Sequence, residues 1–276
     1  VSVSFPWNDP GSSFSDFLAA YRQQFPSGHG IIPLPAAQPS PLPPGTDHAT
    51  WLQLPRGTTV LALCYGDGAM VAGDRMATEG YQVADRRIEK VFRADDYSAI
   101  AIAGTAGPCI ELARLFQVEL EHYEKLEGAQ LSMEGKANKL AQMVRANLPL
   151  AMQGLIVLPL FAGFDPKVAR GRIFKYDVAG GRYEEADYHA TGSGGKDART
   201  TMKKLYRPGL SKADALGVVL EALYDAAEED VATAGPDLIR NIFPTVKVID
   251  RTGLTDVDEG QIRPLMTRLI DHRRRG

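Results

Sequence analysis

The chain has 276 residues, 44% of them hydrophobic, which is enough for one large domain or two small ones with a substantial core. A net charge of −3 and a pI near 6.0 lack the basic excess that phosphate binding demands, which excludes nucleic acid as the main partner. No run approaches the roughly 18 apolar residues of a membrane helix, and the first residues do not read as a secretory signal.

Residues 1–55 hold ten of the eighteen prolines and both tryptophans. A short helix is predicted near Ser15 to Phe25. The dense run from Pro33 to Pro44 must be extended or irregular, because proline removes a backbone donor. This stretch reads either as a linker or as a removable pro-segment. From Thr58 the pattern changes to short paired apolar runs. Thr59 to Tyr65 and Ala69 to Gly73 flank Gly66-Asp67-Gly68, a hairpin signal. Strands are predicted at Lys90 to Arg93 and Tyr97 to Ile102, then helices at Pro108 to Lys125 and Met133 to Leu148. Strands follow at Leu155 to Phe164, Gly171 to Asp177 and Tyr188 to Thr191. Two more helices are marked by Ala198, Met202 and Leu205, and by Leu216, Val219, Leu220, Leu223 and Ala227. A last strand, Thr245 to Asp250, precedes a turn and a helix near Glu259 to Asp271, with Arg273-Arg274-Arg275 as a solvated, frayed tail. Strand and helix blocks are segregated, which argues against a doubly wound parallel sheet. The expected class is α+β: two antiparallel sheets packed face to face with helices outside, a four-layer αββα sandwich.

Cys64 and Cys109 belong to no CxxC spacing and read as small buried hydrophobes in a reducing cytoplasm. The chemistry points to Arg56-Gly57-Thr58-Thr59-Val60, where the Pro-rich leader meets the first strand. Cutting the Gly57–Thr58 bond would give Thr58 a free α-amine beside its own hydroxyl, a nucleophile and base in one residue. An α-amine titrates at about 7.7–8.0, which suits it to general-base work near neutral pH. Asp74 follows Thr58 by 16 residues and Lys90 by 32, each at a strand end. A cation beside the threonine favours its alkoxide, and a carboxylate orients the cation. The small, glycine-rich run Ala101 to Gly107 offers a backbone N–H at Gly104 for an oxyanion. Thr191-Gly192-Ser193-Gly194-Gly195-Lys196 fails as a phosphate loop, since that motif needs Gly at Ala190 and Ser or Thr at Asp197. Ser193 there, and Asp230 with Thr233 at the end of the long helix, are further polar candidates. Neither zinc spacing nor a serine elbow occurs, so no metal or cofactor is expected.

Taken together, Gly57-Thr58-Thr59-Val60, Ala72-Gly73-Asp74-Arg75, Glu89-Lys90-Val91, Ile102-Ala103-Gly104-Thr105-Ala106, Gly192-Ser193-Gly194 and Asp230 with Thr233 resemble the proteasome β subunits, members of the N-terminal nucleophile hydrolases. The likeness covers about residues 58–265. Glu119 to Gly128 and Tyr224 to Ala227 look like the actinobacterial branch, and Thr233 stands where many relatives have serine. The resemblance implies a propeptide over residues 1–57 and a catalytic domain over 58–276. Thr58 would be nucleophile and base, Lys90 would assist deprotonation of its hydroxyl, and Asp74 would orient Lys90. Ser193, Asp230 and Thr233 would position the amine, and the Gly104 N–H would bind the oxyanion. Thr78, Gly104 and Ala106 would hold the substrate backbone. Ala77, Ile88, Phe92, Ile102 and Ala106 would line an apolar pocket for the residue before the cut. It also implies partners: seven β subunits per ring, two β rings between two α rings, and an ATPase ring feeding unfolded polypeptide. Two other readings remain at this level: a non-catalytic assembly subunit of the same fold, and another N-terminal nucleophile enzyme such as the related bacterial two-component protease or a small-molecule amidase.

Overall fold

The structure is a computed structural model that describes residues 57–79 and 82–275. The helix predicted near Ser15 to Phe25 and the Pro33 to Pro44 run lie outside the described residues.

Strands β1 (Thr59–Tyr65) and β2 (Gly68–Gly73) form the predicted hairpin, with Tyr65 opposite Gly68. A small hairpin, β3 (Ala77–Glu79) and β4 (Gln82–Asp85), precedes β5 (Val91–Asp95) and β6 (Ser98–Gly104). Helices α1 (Ala106–Glu127), α2 (Met133–Ala146) and α3 (Leu148–Met152) follow. Next come β7 (Val157–Asp165), β8 (Arg170–Tyr176), β9 (Arg182–Glu185) and β10 (Tyr188–Gly192), then α4 (Gly195–Leu205) and α5 (Lys212–Glu229). The chain closes with β11 (Thr245–Asp250), β12 (Gly253–Asp256) and α6 (Glu259–Arg275).

Two five-stranded antiparallel sheets result, in the orders β10-β1-β2-β11-β12 and β5-β6-β7-β8-β9. Their alternation assigns the layers. Val60, Ala62, Ala69 and Val71 point from the first sheet onto Ala99, Ala101, Leu160 and Ala162 of the second. The opposite residues of β1 and β2, Leu61, Leu63, Met70 and Ala72, meet Ala198, Met202, Val219, Leu223 and Met266 from α4, α5 and α6. The outer face of the second sheet, with Ile100, Phe161 and Phe174, packs on Leu112, Phe116, Leu140 and Val144 of α1 and α2. Period-2 strands and 3.6-period helices thus bury three apolar layers between four structural ones, the expected αββα sandwich.

The differences have local causes. The helix predicted through Leu148 stops at Ala146 because Pro149 cannot donate to the preceding turn, and the chain restarts as α3. Strand β9 carries no apolar alternation; its edge is held by Arg172–Glu184 and Lys175–Glu185 ion pairs, so hydrophobic patterning missed it. Lys90 lies one residue before β5 instead of opening it. The expected frayed tail is corrected: α6 continues through Arg275, and Arg273 donates to Glu221 Oε1 and Asp225 Oδ1, each at 2.8 Å. Among the described residues, no helix is long and apolar enough to cross a membrane.

Candidate active site

The sandwich brings three chain segments together at one end of its inner layer. Thr58 sits immediately before β1, Asp74 immediately after its antiparallel partner β2, and Lys90 before β5 of the facing sheet. The Asp74 N–H continues the β2 ladder onto the Thr59 carbonyl at 3.1 Å, which fixes the carboxylate next to the start of β1.

That carboxylate is fully buried and saturated with donors. Asp74 Oδ1 accepts from Lys90 Nζ at 2.6 Å and from the Thr59 N–H at 2.8 Å. Oδ2 accepts from the Met76 and Ala234 N–H groups at 3.0 and 3.1 Å. Burial pushes Lys90 below the ordinary ammonium range, opposed by the charges of Asp74 and Asp230. Its ammonium also donates to the Gly57 carbonyl at 3.1 Å, and the Thr58 hydroxyl donates to the same oxygen at 2.6 Å.

Glycine is strongly favoured at position 57. Its φ is +132°, and a Cβ would lie 2.6 Å from Thr78 Oγ1 and 2.9 Å from the Ala232 carbonyl oxygen. The Thr58 N–H reaches Ser193 Oγ at 3.5 Å, and the Ser193 N–H donates to the Thr58 carbonyl at 2.9 Å. Thr233 donates to Asp230 Oδ2 at 2.5 Å, and its oxygen contacts Thr59 Oγ1 at 2.7 Å. Thr58, Asp74, Lys90, Ser193, Asp230 and Thr233 thus form one connected polar cluster, and Gly104 borders it.

Two hollows flank Thr58. One, small and partly enclosed, is lined by Ala77, Ile88, Phe92, Ile102 and Ala106, the five residues expected of an apolar pocket. Thr78 does not line it; its hydroxyl faces Gly57. Glu89, Cys109 and Ile110 also line it and were missed. The helical spacing from Ala106 to Cys109 and Ile110 carries the signal for two of them, which a helix starting at Pro108 leaves out. The second hollow is a more open groove bordered by Gly104, Ile156, Leu158, Ser193 and Arg199. Cys109 is buried and Cys64 only partly so, and burial pushes both thiols up to about 12, which leaves them unreactive. Among the described residues no group of His, Cys, Asp and Glu is arranged to hold a metal ion.

The family described as "Proteasome subunit" matches residues 54–238. The chain belongs to the proteasome subunit family. It is 57% identical over 228 residues to a protein named "Proteasome subunit beta" from Acidimicrobium ferrooxidans, covering 83% of this chain and 84% of that one. A protein of the same name from Streptomyces griseus is 50% identical over 268 residues, covering 95% and 90%. A third, from Jonesia denitrificans, is 52% identical over 253 residues, covering 92% and 80%. As a proteasome subunit of the β type, the chain is a threonine-type hydrolase within a multi-subunit peptidase core.

Proposed function

We propose that the chain is made as a precursor, cuts itself between Gly57 and Thr58, and then hydrolyses peptide bonds of unfolded proteins with Thr58 as nucleophile. The observation that carries this reading is the double contact on the Gly57 carbonyl oxygen: Thr58 Oγ1 at 2.6 Å and Lys90 Nζ at 3.1 Å. The nucleophile and a cation already meet at the carbonyl to be attacked, in a buried site where such interactions gain strength.

In the self-cleavage step the Thr58 oxygen adds to the Gly57 carbonyl carbon, the Lys90 ammonium stabilises the charge that builds on the carbonyl oxygen, and the hydroxyl proton is handed to the Thr58 nitrogen. Collapse breaks the Gly57–Thr58 C–N bond, and the nitrogen, now carrying that proton, becomes the α-amine. The resulting ester is hydrolysed by water, releasing residues 1–57 with a carboxylate on Gly57. In the mature domain, residues 58–276, the amine serves as base for the hydroxyl beside it. Lys90 lowers the cost of the alkoxide, and Asp74, held by four donors, keeps Lys90 in place. The Gly104 N–H stabilises the oxyanion. Ser193, Asp230 and Thr233 position the amine, and Thr78, Gly104 and Ala106 align the substrate backbone. The pocket formed by Ala77, Ile88, Phe92, Ile102 and Ala106 selects apolar residues before the cut.

The same reading includes seven-membered β rings stacked between α rings, an ATPase ring that delivers unfolded chains, and a cytoplasmic setting in keeping with two free cysteines. A free threonine of this reactivity is best confined to a closed chamber. The test is Thr58→Ala: leader removal and peptide hydrolysis should both vanish, and persistence of either would point to a different nucleophile.

A further inference from the structure

The geometry points to Thr59, the residue after the nucleophile, as a positioning residue that ties the two loops flanking Thr58 into one unit through its hydroxyl. Thr59 is fully buried and lies on the face of β1 whose other members, Leu61 and Leu63, pack on the helices. A hydroxyl on that apolar face must find partners, and it finds two. Thr59 Oγ1 accepts from the Gly194 N–H at 2.9 Å and contacts Thr233 Oγ1 at 2.7 Å.

Chemistry fixes the direction of the chain. The Asp230 carboxylate accepts the Thr233 proton at 2.5 Å, so the Thr59 proton must go to the Thr233 oxygen. The order runs Gly194 N–H, Thr59 O–H, Thr233 O–H, Asp230. The fit is tight: a Cβ on Gly194 would lie 2.6 Å from Thr59 Oγ1 and 2.9 Å from Thr233 Oγ1. One end of the chain holds the loop that brings Ser193 Oγ to the Thr58 nitrogen. The other holds the Asp230–Thr233 turn, whose Ala232 abuts Gly57, and the Ala234 N–H just beyond that turn reaches Asp74. The Thr59 backbone N–H binds Asp74 as well, so one residue joins both arms of the site.

This inference rests on the proposed role of the Thr58 amine. Thr59→Val keeps the side-chain shape but leaves the Gly194 N–H without an acceptor and the Thr233 oxygen without a donor. Measured on assembled protein, normalised to the fraction of processed chains by intact mass, kcat should fall about 10- to 100-fold with KM nearly unchanged. The acidic limb of the kcat/KM profile should move to lower pH, because the oxygens that favour the protonated amine are no longer held against it. Thr59→Ser should restore both. Thr233→Val, which cuts the next link, should displace the limb in the same direction, and it serves as the test if Thr59→Val does not assemble. A Thr59→Val or Thr233→Val enzyme with the wild-type pH profile would overturn the assignment, as would equal impairment of Thr59→Val and Thr59→Ser. Failure of the proposed function itself would show separately, as a wild-type protein active with its leader attached.

Discussion

Replacing Asp74 with Asn isolates the buried ion pair at the centre of the site. The two side chains are 0% and 4% exposed and 2.6 Å apart, so water cannot take over from the lost charge. Asparagine keeps the shape, but its amide nitrogen must face either the Met76 and Ala234 N–H groups or Lys90 and the Thr59 N–H, donor against donor in each case. Breaking a buried pair from one side costs about 3–5 kcal/mol, out of roughly 5–15 kcal/mol for a typical domain. Urea denaturation near neutral pH would measure this, with both proteins carrying Thr58→Ala so that leader processing does not differ. The sign with pH follows from linkage. Lys90 titrates below its unfolded value, so between the two values the unfolded chain holds more protons and stability rises with pH. Loss of Asp74 widens that window, so the deficit of Asp74→Asn should shrink as pH climbs toward the ordinary lysine range, about 10.4. With Thr58 intact, peptide hydrolysis should drop by roughly 100-fold or more, since each 1.36 kcal/mol is about a factor of ten. A stability loss under about 1 kcal/mol, or hydrolysis within tenfold of wild type, would refute the electrostatic role given to the pair.

Gly57→Ala should stall leader removal, because the new methyl collides with Thr78 Oγ1 and the Ala232 carbonyl; intact mass over time reads this out, and wild-type processing would contradict it. Ala106→Val narrows the apolar pocket and should lower kcat/KM for peptides with Phe before the cut about tenfold or more relative to those with Ala. Peptide kinetics on the processed enzyme check this, and an unchanged ratio would remove Ala106 from the pocket. His189 is pulled from 6.5 down to about 4 by burial, with Lys175 adding to the effect and outweighing Glu185 at 3.5 Å. The unfolded chain therefore binds the extra proton first, and stability should fall as pH drops from about 6.5 to 4. Urea midpoints for His189→Gln should lose less over that range, and an identical acid dependence would rule the histidine out as the cause.

Much of the fold was legible because burial follows period. Val60 and Ala62 against Leu61 and Leu63 reads as a strand packed on both faces, and the structure buries each pair in a different layer. What patterning missed was held by something other than apolar burial, as with the charged edge strand Arg182–Glu185. The site was legible only as a set of residue types at strand ends. Asp74 and Lys90 are 16 residues apart, and only antiparallel pairing and sheet stacking make them neighbours. Thr59 shows the limit most clearly. Beside Thr58 it passed as the first residue of a strand, although a hydroxyl in line with Leu61 and Leu63 was a visible anomaly. Its partners, Gly194 and Thr233, lie 135 and 174 residues away, and no local pattern connects them.

The most direct test of the account is the N-terminus of the assembled, active protein. Intact mass and N-terminal sequencing, taken together with peptidase activity on the same sample, should give a chain beginning at Thr58 and activity that rises in step with that species. Full activity from chains that still carry Gly57 and the leader would contradict the account, since Thr58 would then be working without a free amine.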